Sequence, residues 1–247
     1  MNLITCMQTH STWYNGTVGN GKPVGILWHD TGAGNPYIKR YVQPYEGDPD
    51  YDEMIAIIGK NERGNDWNHK EREAGLNAWI GKLADESVGT VQAGPWEFHP
   101  WGCGSGKKGS CNGYIKENGK SKYVSDMWVQ FEICDDGYES REYFEAVYKE
   151  ACEFTAYICK LYGLDPTGTV QFAGVTVPVI TCHKESHTLE LGSNHGDVIT
   201  WFNKYGKTMD DVRKDVKALL KDKDDDTTVP AFVCPCCGAR FVQEVQQ

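Results

Sequence analysis

Between Ser140 and Gly163 the apolar residues Phe144, Val147, Ala151, Phe154, Ile158 and Leu161 recur at steps of three and four. That spacing lays one continuous stripe along an α-helix, and the stripe must be buried against something apolar. Ser140 stands where an N-cap would accept a backbone N–H, and Gly163 stands where a left-handed C-terminal residue is needed. A helix of this length fixes the scale of the core. With 40% hydrophobic and 12% aromatic residues among 247, the chain has the apolar material to fill one, which excludes a disordered or collagen-like polymer.

Strands surround this helix in the sequence. Val24-Gly-Ile-Leu-Trp-His29 is a short apolar run that delivers His29 to a strand end. Ala78–Leu83 and Val88–Gln92 flank Ala84-Asp-Glu-Ser87 and read as a hairpin. Met127-Trp-Val-Gln-Phe-Glu-Ile133 reads as a central strand on which Gln130 and Glu132 share a face. Val177–Thr181 is a short strand leading into Cys182-His-Lys-Glu185, and a last helix is expected over Met209–Leu220. Gln43–Asp52, Gly59–Asn68 and Gly94–Asn112 read as loops, the last a long surface loop of the kind that carries function. No internal repeat is found.

A net charge of −10, without a local basic patch, argues against generic nucleic-acid binding. No stretch approaches the ~20 apolar residues of a membrane span. The start, Met1-Asn-Leu-Ile-Thr-Cys-Met-Gln8, lacks a basic segment followed by a long apolar one, which predicts synthesis in the cytoplasm without signal-directed export. Of ten cysteines, seven are scattered singly, as buried thiols are, and three crowd into Cys234, Cys236 and Cys237.

Three positions suit a zinc site: His29 and His183, each at a strand end, and Asp197 in the loop Ser193-Asn-His-Gly-Asp197. Two histidines and one carboxylate leave a fourth tetrahedral position for water, as a catalytic zinc requires. Taken one by one, each has a plainer reading as a strand cap or turn residue.

The ordered stretches Gly25-Ile-Leu-Trp-His29-Asp-Thr31, Trp128-Val-Gln-Phe-Glu132-Ile133, and Thr181-Cys-His183-Lys-Glu185 through Ser193-Asn-His195-Gly-Asp197-Val198 resemble the zinc-dependent N-acetylmuramoyl-L-alanine amidases of the amidase-2 and peptidoglycan-recognition-protein family. More closely they resemble endolysins of phages and prophages of Gram-positive bacteria. The resemblance spans roughly residues 20–205.

It implies an α/β fold with a mixed central β-sheet flanked by helices, a peptidoglycan substrate and a Zn2+ cofactor. It also implies a site: His29, His183 and Asp197 as metal ligands and Glu132 as a catalytic carboxylate. Relatives often carry a Lys two residues before the third ligand, where this chain has His195. As a consequence His195 is expected to act on the developing oxyanion or the leaving amine with a pH dependence of its own, unless it is itself the third ligand with Asp197 behind it. Trp96, Trp101, Trp67 and Tyr37 offer flat surfaces for a sugar or stem peptide, or pack their own loops. A non-catalytic recognition module and a zinc peptidase cutting within the stem peptide stay open beside the amidase. The absence of a signal-like start fits an endolysin that reaches the wall after release.

The expected organisation is a catalytic domain over residues 1–222, a charged linker over 223–228 and a Cys-rich tail over 229–247. Phe232-Val-Cys234-Pro-Cys-Cys237-Gly238 resembles one zinc knuckle, with Cys234 and Cys237 as ligands. Two thiolates are half of a structural site. The other half comes from a second protomer, giving a homodimer, or from elsewhere in the chain, or the tail is metal-free.

Overall fold

In the computed structural model, residues 1–222 are described, together with the backbone of the short pair Phe232–Val233 and Arg240–Phe241. The linker at 223–228 and the Cys234 and Cys237 knuckle lie outside the described residues. In chain order the elements are β1 (Leu3–Thr5), α1 (Thr12–Gly16), β2 (Lys22–Asp30), a 3-10 turn (Ile38–Arg40), α2 (Tyr51–Ile58), β3 (Ala78–Lys82) and β4 (Val88–Gln92). There follow β5 (Gly109–Ser110), β6 (Tyr114–Glu117), β7 (Lys120–Tyr123), β8 (Asp126–Ile133) and α3 (Arg141–Tyr162). The last are β9 (Thr169–Phe172), β10 (Val175–Pro178), β11 (Ile180–Cys182), α4 (His183–Thr188), α5 (Ile199–Lys204) and α6 (Met209–Asp222).

The main sheet runs β1-β4-β3-β8-β2-β11. Only the β3–β4 hairpin is antiparallel; β1, β8, β2 and β11 pair in parallel with their neighbours. This is the mixed α/β sheet that the resemblance implies. Parallel strands in the middle of such a sheet are covered on both faces and therefore read as nearly unbroken apolar runs, which is what β2 and β8 are.

Val129, Phe131 and Ile133 of β8 face α3 and, with Trp28, Phe144, Val147, Ala151, Phe154 and Ile158, build the larger core. Phe131 meets Trp28 and Phe154 edge-on at 5.1 and 5.2 Å. Ser140 Oγ accepts the Tyr143 N–H at 3.1 Å, and Gly163 ends α3 in the left-handed region. Leu161 departs from the expected stripe and is exposed, while Ile158 and Cys159 before it are buried in the core. The opposite face carries Trp128, Gln130 and Glu132 and packs against two smaller clusters, one around Trp79, the other around Leu27 and Cys103. All seven scattered cysteines are buried free thiols.

Four expectations need correcting. The strand expected over Val177–Thr181 is two strands in two sheets: the Val179 N–H still donates to the Gly168 carbonyl on the β9 side, while the Val179 carbonyl accepts from Ile26 of β2, and the chain passes into β11. The loop expected over Gln43–Asp52 gives way at Tyr51 to α2, and residues 53–58, for which no element was expected, complete that helix. The 94–112 segment lies over the surface only in part: Lys107 and Lys108 are exposed, but His99, Cys103 and Cys111 are buried, and Asn112 bonds Gln130 on the sheet face. α6 runs to Asp222, two residues past the expected end at Leu220.

Candidate metal centre

Register alone brings the first two histidines together. Cys182 of β11 lies beside Trp28 of β2, so the next residue on each strand, His183 and His29, emerge side by side at the carboxyl edge of the parallel strands. On the other side of β2, His29 lies beside Glu132 of β8. The carboxyl edge of parallel strands is where α/β sheets bind ligands, since the chain there leaves the ladder and can bend around a guest. Asp197 reaches the same point from the loop before α5, held by a Lys184 N–H to Asp197 C=O bond of 3.3 Å.

His29 Nδ1 is 3.0 Å from Asp197 Oδ2 and 3.1 Å from His183 Nδ1, and His183 Nδ1 is 3.3 Å from Asp197 Oδ2. Four ligands about 2.0–2.1 Å from a tetrahedral ion stand about 3.3 Å from one another. The triangle therefore has the edge length that zinc needs. Both histidines are buried, and each Nε2 has its own partner, Gln130 Oε1 at 3.0 Å and Ser193 Oγ at 3.1 Å. Three electron-rich atoms crowded at one point in a buried setting repel unless protons or a cation lie between them. Among the described residues, His29, His183 and Asp197 are the group of this kind.

The surrounding electrostatics agree with that reading. Burial opposes ionisation of Asp197, but its bonds to His183 and His29 hold the carboxyl well below the usual range. Burial works against charging His29, and Asp197 overcomes it, raising the imidazole. Burial pushes Glu132 well up, and Asp197 and Asp30 add to the effect; its Oε2 is buried with no hydrogen-bond partner. Asp30 is pushed up to about 7, first by burial, against the Tyr138 hydroxyl that donates to its Oδ1 at 2.7 Å.

His195 stands outside the triangle. Its side chain is 62% exposed, its ring stacks on His183 at 4.7 Å, and its Nδ1 is 4.0 Å from Asp197 Oδ1. The aromatic quartet does not gather here as a set. Trp96 is buried in the main core against Phe154 at 5.5 Å and has no free face for a sugar. Trp67 meets Trp79 edge-on at 4.8 Å, and Trp101 covers Gly16, where a Cβ would come within 2.8 Å of its ring. Tyr37, half-buried, donates to Glu86 and lies under Lys39 and Lys82. Sequence reading missed Asn112, Ser193 and Gly102, all in loops without periodic signal. It placed Gln130 on the right face without giving it a task.

No protein-family model matches the sequence, and no curated protein does. Among solved structures, the chain is similar to the Staphylococcus aureus hydrolase AmiA, crystallised in complex with its ligand: 14% identity over 90% of this chain and 84% of that one, TM-score 0.50. PlyL is 13% identical over 88% and 96% of the two chains with a TM-score of 0.46, and the PlyG catalytic domain 14% over 93% and 99% with 0.47. At such identities the likeness is one of fold, and this chain shares the mixed α/β architecture of AmiA.

Proposed function

We propose that this chain is a peptidoglycan hydrolase that uses zinc, held by His29, His183 and Asp197, to cut the amide between N-acetylmuramic acid and the L-alanine of the stem peptide. The observation that carries the reading is the donor triangle of 3.0, 3.1 and 3.3 Å at the strand edge, with the unpartnered Glu132 carboxylate on the adjoining strand. The fold shared with a hydrolase supports it, as does the ordered resemblance of the three motifs to amidases. Bound there, zinc supplies a Lewis acid and a water whose pKa falls toward ~7.

The chain's own residues do the rest. Glu132 takes a proton from the attacking water at its free carboxylate oxygen, Oε2. Its raised proton affinity suits a base that later passes the proton on. Asp197 stays ionised and anchors both imidazoles. His195, exposed at the rim, is placed to give a proton to the leaving amine or to hydrogen-bond the oxyanion, the task that a lysine performs in relatives of the resembled family.

The test is dye release from labelled cell walls by the zinc-loaded chain, with and without a chelator, followed by mass spectrometry of the fragments. Intact stem peptides ending in a free L-alanine amine are expected, and only with metal. Binding without release would make the chain a recognition module, and cuts within the stem would make it a peptidase.

A further inference from the structure

The proton on each metal-facing imidazole is fixed by hydrogen bonds that lead back to one backbone residue. The N–H of Cys103 can only donate, and it donates to Asn112 Oδ1 at 3.0 Å. With that oxygen an acceptor, the Gln130 atom 2.9 Å from it is the amide nitrogen, which turns Gln130 Oε1 toward His29 Nε2 at 3.0 Å. An amide oxygen only accepts, so His29 carries a proton on Nε2, and it is Nδ1 that turns to the triangle and gives its lone pair to an ion once any proton shared with Asp197 has left. On the other arm the Cys103 carbonyl accepts from the Ser193 hydroxyl at 3.4 Å, which leaves Ser193 Oγ to accept from His183 Nε2 at 3.1 Å.

The relay is rigid and dry. Cys103, Asn112, Gln130 and His29 are all at least nine-tenths buried. Gln130 is clamped by Asn77, whose Oδ1 accepts its N–H at 3.0 Å and whose own N–H donates to its carbonyl at 2.9 Å. Gly102 lets the loop lie over the amide, since a Cβ there would stand 2.7 Å from Gln130 Oε1. No solvent is at hand to replace a lost partner, so a broken link must be made good within the relay.

We infer that Gln130 and Asn112 are positioning residues that lock His29 in the tautomer able to bind metal through Nδ1. The inference rests on the metal reading above, and the two fail separately. Partners of this kind are worth about 10–100-fold in metal affinity.

The experiment reads the His29 tautomer in the metal-free full chain by 15N–1H correlation, and zinc affinity by competition with a chromophoric chelator. Wild type is expected to show a protonated Nε2, whether or not Nδ1 shares a second proton with Asp197. Asn112→Leu removes the acceptor and lets the Gln130 amide turn its nitrogen toward His29. The Nδ1–H form should then appear and zinc affinity fall about 10–100-fold, although Asn112 touches neither His29 nor the ion. Adding Gln130→Glu to that variant supplies a group with no amide N–H to present, and should restore both the tautomer and most of the affinity. An unchanged tautomer in Asn112→Leu, or a double variant no better than the single, overturns the lock. Should Asn112→Leu fail to fold, Gln130→Leu and Gln130→Glu carry the test: Leu should lose the Nε2–H preference and Glu keep it, and equal behaviour overturns it. A wild type that shows the locked tautomer and binds no zinc would sink the metal reading and leave the lock standing.

Discussion

Glu132 buries its carboxyl beside the donor triangle at a cost in stability. In the metal-free protein its buried carboxyl holds a proton more tightly than an unfolded glutamate, whose pKa is about 4.3. A raised folded pKa means that the favourable contribution is complete below pH ~4 and is lost as the pH climbs toward the folded value. Glu132→Gln removes that loss. The variant should be about 1–3 kcal/mol more stable than wild type at pH 7, the desolvation cost of an unpartnered buried group, and no more stable near pH 4. Wall hydrolysis should fall about 10²–10⁴-fold. Urea melts of the two metal-free proteins at both pH values check the first part, and a gain that is the same at both would remove burial as its cause. His195→Ala should lower activity without loss of bound zinc, because His195 lies outside the donor triangle, and should flatten the rate profile between pH 5 and 9; full activity across that range would exclude a proton-transfer role. His29, His183 and Asp197, which the fold brings together, and Glu132 beside His29 were legible as candidates because each sits in a short ordered motif. Between the substrate surface and the packing role left open for Trp96, the structure gives it packing, and nothing in a Gly- and Pro-rich segment says which tryptophan turns inward.

At the level of elements, legibility followed length. α3 repeats its apolar stripe over 22 residues and carries both caps, so its bounds could be placed almost to the residue. Its ends are also testable. Ser140→Ala should cost about 1 kcal/mol by orphaning the Tyr143 N–H, and Gly163→Ala about 1 kcal/mol by forcing a Cβ into the left-handed region. The sites are far apart, so the double variant should show the sum in a denaturant midpoint series. α2 spans eight residues and β11 three, too few for a period to stand out from chance. The division of β10 from β11 falls at Val179, which bonds toward β9 through its N–H and toward β2 through its carbonyl, and where those partners stand is a property of the neighbours.

Over the whole molecule, a bound ion would tie together β2, the start of α4 and the loop before α5, segments separated by up to 168 residues along the chain. An ion that binds only the folded state stabilises it by about 2.7 kcal/mol at one hundred times its dissociation constant. Chelation should therefore lower the Tm of the zinc-loaded protein by several degrees, and His29→Ala should show no such shift in differential scanning fluorimetry. A chelator-dependent shift that survived in His29→Ala would place the ion elsewhere.

By itself the sequence determined the strand and helix types, the apolar faces that must meet, and the residue kinds able to hold a metal, because propensity, periodicity and donor chemistry belong to each residue and its near neighbours. Only the tertiary structure decided that His183 emerges beside His29, that Asp197 closes the triangle while His195 stays outside it, and that a backbone N–H at Cys103 governs an imidazole through two buried amides. Distances between atoms far apart in the chain are set by strand register and by how loops fold back over the sheet, and these follow from packing the whole core at once.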